Sequence, residues 1–597
     1  MLTKFVIFAI LALVHQINGG LVANQFKSGV KNYFKNGKNF TGEFNRFLTT
    51  IDLRHSFRTG AEEYIDSSVI CDACDGLLDS IIEEVHNGLN MQDVIDLAIT
   101  LCIDLNIEPE PVCRGAVNLN AGIIMYIIEN RPELRANRIC GIVAQSFGCG
   151  GSVGEWSIDI APGSQDFVKG VVTDSTPLKV LQVTDFHYDP MYTPGSLASC
   201  AAPVCCQSDS GVASTPEEGA GYWGDYRSCD TPWYGVEDAL DHIAETHPDI
   251  DYVYYTGDTI SHRVWDTSIS GNTEDIKLLY NTLLAKFPNT PVYPILGNHE
   301  PHPLNVFTPP EIEEDEFSTA WLFDLAADLW GPILGEGTEE TIRKGGFYTV
   351  LIRPGFRLIA LNSNVGYTFN WWLLYDDVDP FGQLQWLADT LYQAEQDGEI
   401  VHIISHVPSS DDTCYKIWSQ QYRRILERFA GTIAAAFNGH SHTDEFIVYH
   451  SSEEPTKAIN VAYNGGSVTT FSNKNLNYKI YHVDQQNYEV HDYDCWSYNM
   501  TEANLTPNQR PNWFKLYSFK DAYGLSGASP SDLRDLTFRM VENETLRQKY
   551  WEFRSRRADS ALEGGCSDGC HKGNICDILA SSFGDTTQCD EVMAGWQ

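Results

Sequence analysis

A chain of 597 residues is too long for one ordinary core, and about two to four domains are expected of it. Its 81 acidic against 40 basic residues give a formal net charge of −41, which argues against nucleic acid as a partner. That charge fits either a surface kept soluble by repulsion or an acidic lumen in which partial carboxylate protonation relieves it.

Residues 1–20 hold Lys4, an apolar run from Phe5 to Val14, and then the polar or small Gln16, Asn18, Gly19 and Gly20. The run is too short to span a bilayer and has the layout of a secretory signal peptide. No later apolar run reads as long enough for a transmembrane helix, so a soluble mature protein is expected in a lumenal or extracellular space. The 16 cysteines then read as disulfides rather than metal ligands. Asn-x-Ser/Thr sites at Asn39, Asn499, Asn504 and Asn543 agree with that compartment as glycosylation acceptors.

Residues 21–67 are polar and aromatic without a clear period. A compact unit, 68–150, follows, with cysteines at 71, 74, 102, 113, 140 and 149. Leu77, Leu78, Ile81, Ile82 and Val85, then Val94, Ile95, Ala98 and Leu101, recur near helical spacing. Six cysteines allow about 15 pairings; a helical leaflet held by its ends would pair first with last, second with fifth and third with fourth. From Cys71 to Cys149 there are 12 Asp/Glu against 4 Arg/Lys, a formal −8, so approach to an anionic bilayer should be easier in acid. Residues 151–177, with Gly151, Gly154, Pro162, Gly163 and Pro177, read as a linker.

From 178 to 494 β-rich runs alternate with amphipathic stretches, an α/β signal. The runs are Lys179 to Val183, Val253 to Tyr255, Val292 to Leu296, Arg357 to Leu361, Ile400 to Ile404, Thr432 to Phe437 and Ala458 to Ala462. Residues 495–597 read as a small helical region with cysteines at 566, 570, 576 and 589.

In open α/β sheets, functional groups collect in loops at the carboxyl ends of strands. Here Asp185 and His187, Gly257-Asp258, Gly297-Asn298-His299-Glu300, His406, and Gly439-His440-Ser441-His442 each come shortly after a β-rich run. Carboxylate oxygens and imidazole nitrogens without thiolates suit Zn, Mn or Fe in a hydrolytic pair, where two ions about 3.5–4 Å apart can hold a phosphate. In this order the pieces resemble the calcineurin-like metallophosphoesterase family. The resemblance implies two packed mixed β-sheets flanked by helices. It also implies one ion held by Asp185, His187, Asp258 and His442, and a second by Asp258, Asn298, His406 and His440, with Asp258 as the bridge.

Gly297 is expected to free the turn and Glu300 to orient an imidazole. His299 adjoins a ligand without needing to be one, so it can protonate a leaving oxygen. His262, four residues past Asp258, either contacts the phosphate and supports His299 or makes a structural hydrogen bond at the loop base.

The six-cysteine unit resembles a saposin-type domain, which implies an all-α fold, lipid contact, and the pairs Cys71–Cys149, Cys74–Cys140 and Cys102–Cys113. A disulfide-stapled cap that touches no lipid is the other reading. From about 68 to 592 the chain is similar to the acid sphingomyelinase family. That implies hydrolysis of sphingomyelin to ceramide and phosphocholine, two Zn²⁺, transient contact with a membrane surface, and a lysosomal or secreted location; a monomer is expected. It also implies Cys200–Cys205, Cys206–Cys229, Cys566–Cys570 and Cys576–Cys589. The alternatives are a phosphodiesterase of soluble nucleotides and a non-catalytic lipid-binding protein. Two departures from the family stand in the loop 364–372, which lacks a cysteine to match Cys414 and carries Phe369 in place of an expected glutamate. Cys414 is therefore expected to pair with Cys495, and substrate entry to be altered at Phe369. Trp371-Trp372-Leu373-Leu374 reads either as an interfacial anchor or as core.

Overall fold

The computed structural model describes residues 19–42, 44, 46, 67–149, 154–163 and 176–596. All but the last two residues of the expected signal peptide, and most of the expected linker, lie outside these. Helix α1 spans Gly19–Lys35. Phe26, Val30 and Tyr33 recur along it at i, i+4 and i+7 and are buried together with Phe40 and Phe44. Interleaved lysines and asparagines mask that period in the sequence.

Four helices form the disulfide-bonded leaflet: α2 (Ser67–His86), α3 (Met91–Asp104), α4 (Glu110–Asn130) and α5 (Ala136–Val143). Asn90 caps α3 by accepting from the Asp93 N–H at 3.0 Å. The bridges are Cys71–Cys149, Cys74–Cys140 and Cys102–Cys113. Helix α1 lies against α2, where a Cβ on Gly76 would come within 2.6 Å of the Ala23 backbone. Lys31 Nζ lies 3.0 Å from Glu83 of α2, and the chain then reaches α3, with Tyr33 Oη at 3.2 Å from Thr100 Oγ1 and, just past the end of α1, Lys38 Nζ at 2.6 Å from both Asp93 and Asp96. Against the sequence expectation, α4 is long and apolar enough to cross a membrane by length and composition. Its Val112, Cys113, Ile123 and Ile127 are nonetheless buried within the protein, and Asn120 accepts a hydrogen bond from Trp371 Nε1 at 2.9 Å.

The strands, in chain order, are β1 (Leu178–Val183), β2 (Tyr252–Tyr255), β3 (Val292–Pro294), β4 (Tyr348–Arg353), β5 (Phe356–Ala360), β6 (Ile400–Ile404), β7 (Ile433–Asn438), β8 (Asp444–His450), β9 (Ala458–Gly465), β10 (Asn477–Val483), β11 (Val490–Ser497) and β12 (Phe514–Ser518). They form two six-stranded mixed sheets, ordered β12-β11-β10-β1-β2-β3 and β4-β5-β6-β7-β9-β8. Neighbours β1, β2 and β3 run parallel, as do β5, β6, β7 and β9, so the carboxyl ends of the functional strands point the same way within each sheet. The sheets meet face to face: the Phe437 ring lies 5.1 Å from Tyr254 and 5.0 Å from Tyr481, and Gln182 Nε2 donates to Asn438 O at 2.8 Å. Buried on both faces, β2 reads as a continuous apolar run, while β1 interrupts its apolar residues with Lys179 and the buried Gln182.

The expected boundary at 494/495 falls inside β11, and β12 adds an edge strand from the region expected to be purely helical. Helices Pro530–Glu542, Glu544–Arg554 and Asp568–Leu579 then pack over β8 and β9. The bridges Cys566–Cys570 and Cys576–Cys589 close this region.

Cys414 and Cys495 are not bonded; both are buried free thiols. Cys495 sits on β11 in the core shared by the two sheets, where its sulfur accepts from Asn477 Nδ2 at 3.4 Å. Cys414 belongs to the apolar core under the leaflet side of the second sheet. Backbone pairing takes the place of a crosslink there. Tyr367 and Cys414 form an antiparallel bridge, with Thr368 N–H to Thr413 O at 2.8 Å and Tyr415 N–H to Gly366 O at 2.7 Å. Trp371, Trp372, Leu373 and Leu374 are buried core residues.

Candidate active site

Five loops converge where the two sheets end. They follow β1 (Asp185, His187), β2 (Asp258, His262), β3 (Asn298, His299), β6 (His406) and β7 (His440, His442). Two glycines set how closely they approach. A Cβ on Gly257, whose φ is +92°, would sit 2.5 Å from the Gly297 nitrogen, and one on Gly297 would sit 2.1 Å from Asp258 Oδ1. Gly297 thus provides room for Asp258 rather than the unusual backbone conformation expected of it. That conformation falls on the functional side chains instead, with φ of +49° at Asp185, +41° at His187, +64° at Asp258, +74° at His440 and +55° at His442. Left-handed backbone at a non-glycine residue costs on the order of 1–3 kcal/mol and clusters where function demands it.

Glu300 orients no imidazole. Its carboxylate accepts the backbone N–H groups of Gly297 and Thr259, each at 2.6 Å, and of Asp258 at 3.3 Å, and so binds the second loop to the third.

Potential ligand atoms of Asp185, His187, Asp258 and His442 form one compact group, and those of Asp258, His406 and His440 a second, with Asp258 in both. The hydrogen bonds fix which ring nitrogens face inward. A carbonyl oxygen can only accept, so Nδ1 carries the proton in His187 (to Ile260 O, 2.8 Å), His406 (to Thr256 O, 2.7 Å) and His442 (to Phe471 O, 2.7 Å). His187 and His442 are neutral and present an Nε2 lone pair, whereas burial at His406 is outweighed by the Asp258 and Asp185 carboxylates, which raise that ring to about 9, so its Nε2 carries a proton toward Asp258 that a cation would displace. His187 Nε2 faces His442 Nε2 at 2.9 Å; His406 Nε2 lies 3.0 Å from Asn298 Oδ1 and 3.1 Å from Asp258 Oδ2. Asn298 commits its Nδ2 to Asn305 Oδ1 at 2.9 Å, which turns its oxygen toward His406 and His440. Lone pairs facing one another in a buried space repel unless a positive charge sits among them. Oxygen and imidazole nitrogen donors with no thiolate are the set that borderline divalent ions take. The residues therefore fit a pair of divalent cations.

Electrostatics agrees. Burial holds His187 at about 4 and His262 at about 3, and keeps His299 and His442 well below the usual histidine range, so these rings are neutral. Burial pushes Asp185 up. It would do the same to Asp258, but the His406 and His299 imidazoles hold that carboxyl well below its ordinary value.

His299 is positioned by its backbone N–H to Asp258 Oδ1 at 2.9 Å and by Nδ1 to Ser261 O at 3.3 Å. His262 lies between His187, 4.1 Å from its ring, and Phe471, stacked at 3.9 Å and 10°. Phe369 is buried behind Tyr367, whose ring lies 5.3 Å from His440, so it does not line the site as expected. The bridges Cys200–Cys205 and Cys206–Cys229 hold the loop beyond His187. No local motif marks Asp230, Asn305, Phe471 or Arg556, which all support the site. Arg556, 1 % exposed, comes from the C-terminal region and donates to the His442 carbonyl at 2.5 Å and to Asn475 O at 2.8 Å.

Asn305 also lines an apolar cavity of about 190 Å³ between the leaflet and the catalytic sheets, shared with Leu78, Val94, Val264, Trp371 and Leu374. Of the four sequons, Asn39 and Asn543 are exposed, whereas Asn499 and Asn504 are half-buried.

Residues 178–444 match the model of the Calcineurin-like phosphoesterase family, and 457–593 that of the Acid sphingomyelin phosphodiesterase C-terminal region. Over 536 residues the chain is 36 % identical to Sphingomyelin phosphodiesterase of Bos taurus, covering 87 % of this chain and 84 % of that one. It is 34 % identical over 540 residues to Sphingomyelin phosphodiesterase of Homo sapiens, covering 88 % and 83 %. With Sphingomyelin phosphodiesterase 1 of Caenorhabditis elegans it shares 31 % identity over 533 residues, covering 87 % and 93 %.

Proposed function

Since the chain belongs to the sphingomyelin phosphodiesterase family, we propose that it cleaves sphingomyelin to ceramide and phosphocholine at the paired site around Asp258, loaded with zinc. It is a phosphoric diester hydrolase. The observation that carries the site assignment is that the Nε2 atoms of His187 and His442 face each other at 2.9 Å beside Asp258 and Asp185, while His406 Nε2 lies against Asp258 Oδ2 and Asn298 Oδ1. Two divalent ions bound there supply charge neutralisation for the phosphate oxygens and lower the pKa of water in the site.

The chain's own residues do the rest. Asp185, His187, Asp258 and His442 hold one ion, and Asp258, Asn298, His406 and His440 the other. His299, held at its backbone by Asp258, takes up a proton at Nε2 from the acidic medium and gives it to the ceramide oxygen as that bond breaks. His262 lies beside it, its ring 4.7 Å away, and contacts the phosphate. The cavity between leaflet and sheets supports entry of a lipid. Its wall residue Asn305 bonds Asn298 directly, so an aliphatic chain in the cavity brings its head group to the paired site. We assign the leaflet to transient membrane contact and the protein to a lysosomal or secreted setting, acting as a monomer.

The test is release of phosphocholine from sphingomyelin vesicles at acid pH by the zinc-loaded full chain. His299→Ala should keep its bound ions and lose about 10²–10⁴-fold in kcat. No release by the unaltered protein would refute the activity, and an unchanged kcat in the variant would refute the acid.

A further inference from the structure

Asp230 lies in the loop beyond β1, between Cys229 of a disulfide and Thr231, whose Oγ1 donates to Val468 O at 2.8 Å. Its carboxylate is fully buried, and both oxygens go to one residue. Oδ1 accepts from His262 Nδ1 at 2.7 Å, and Oδ2 accepts from the His262 backbone N–H at 2.6 Å. That N–H belongs to the same planar peptide group as the carbonyl of Ser261, and the two dipoles point in opposite directions. The carbonyl accepts from His299 Nδ1 at 3.3 Å. One carboxylate therefore reaches both imidazoles that lie outside the two ion-holding groups, directly at the ring of His262 and through a single peptide unit at the ring of His299.

The arrangement fixes tautomers as well as positions. When ionised, the Asp230 carboxylate only accepts, so His262 then carries its proton on Nδ1 and turns Nε2 into the site. Phe471 and His187 grip the two faces of that ring, so rotation cannot reverse the choice. In the same way Ser261 O holds the His299 Nδ1–H, so a second proton taken up from solvent sits on Nε2 facing the site, and it is this imidazolium proton that goes to the leaving oxygen.

We infer that Asp230 is the positioning residue for leaving-group protonation, setting the tautomer and orientation of His262 and, through the Ser261–His262 peptide, of His299. It touches neither substrate nor ion. The inference rests on the phosphodiesterase reading above and adds to it the group that poises its acid.

The discriminating variant is Asp230→Asn. An amide keeps the shape but offers only one acceptor oxygen, so its NH₂ must face either the backbone N–H or the ring Nδ1–H of His262. Two substrates separate positioning from general damage. The alkoxide leaving from sphingomyelin needs a proton, whereas the phenolate leaving from bis(4-nitrophenyl) phosphate does not. For Asp230→Asn, kcat on sphingomyelin in detergent micelles should fall about 10²–10⁴-fold, the range of general acid catalysis. On the aryl ester it should fall less than about tenfold, with bound zinc unchanged. Equal losses on both substrates, or no loss on either, would overturn the inference. Should Asp230→Asn fail to fold, Asp230→Ala, which removes the carboxylate and leaves His262 in place, must show the same discrimination, and equal losses there would overturn it too. If the unaltered protein cleaves neither substrate, it is the phosphodiesterase reading that falls.

Discussion

The clamp between the C-terminal helices and the second sheet should survive mild acid, and its pH dependence can be worked out from one ion pair. Glu445 on β8 is 8 % exposed. Its Oε2 accepts from Arg554 NH2 at 2.8 Å and Nε at 3.0 Å, and its Oε1 from Ser441 Oγ at 2.6 Å and Asn464 Nδ2 at 3.0 Å. Burial alone would raise its pKa. The Arg554 charge and these hydrogen bonds outweigh burial and bring it from 4.5 to about 2. A carboxyl depressed on folding contributes stability that is complete above its unfolded pKa and is lost as pH falls through the folded one. The shift corresponds to about 3 kcal/mol at neutral pH, of which roughly nine-tenths remains at pH 4.5 and less than half at pH 3. Urea unfolding of the unaltered chain and of Glu445→Gln at pH 7, 4.5 and 3 checks this. The stability difference should stay nearly constant between the first two and shrink by more than half at the third. A difference that has vanished by pH 4.5, or that does not change down to pH 3, would refute the reasoning.

Arg556→Met should strand the buried carbonyls of His442 and Asn475, at about 1–3 kcal/mol each. The relief of a guanidinium that burial pulls from 12.5 down to about 10 offsets part of this. A net loss of about 2–4 kcal/mol is expected, together with weaker retention of bound divalent metal, read by urea midpoint and metal analysis. Asn504 should carry no glycan in active protein, since its Oδ1 accepts from Trp223 N–H at 2.9 Å, its Nδ2 donates to Gly224 O at 3.0 Å, and Gly221 packs against the amide. Glycopeptide mass spectrometry should find modification at Asn39 and Asn543, and an occupied Asn504 would contradict the packing.

Much of the site was legible because its residues come one to a few positions past apolar strands, where a period-2 or continuous run ends in Gly-Asp or Gly-Asn-His. What was not legible lies in contacts between distant segments. Asp230 and Arg556 carry no local signature; they matter through the His262 ring and the His442 carbonyl, which only the fold brings to them. Strands β8 and β10 escaped for a related reason. Asp444 and Lys479 look like loop residues, yet their 2.5 Å ion pair is fully buried in the sheets, each charge made tolerable by the other. Phe369 misled in the opposite sense, since a change of residue type in a family loop suggests altered recognition, while its ring sits in the core behind Tyr367.

The position of β1 in the first sheet has a consequence for biosynthesis. It lies between β2 and β10, and Leu178 finds its partner Val483 about 300 residues later. A chain emerging from its amino end therefore carries the β1-β2-β3 ribbon with an open strand edge throughout synthesis of the entire second sheet, and such an edge invites pairing with other chains. A premature stop before β10 removes the strand that seals that edge. Shortened products should accordingly aggregate or be retained during export, rather than leave the cell as weakened enzymes.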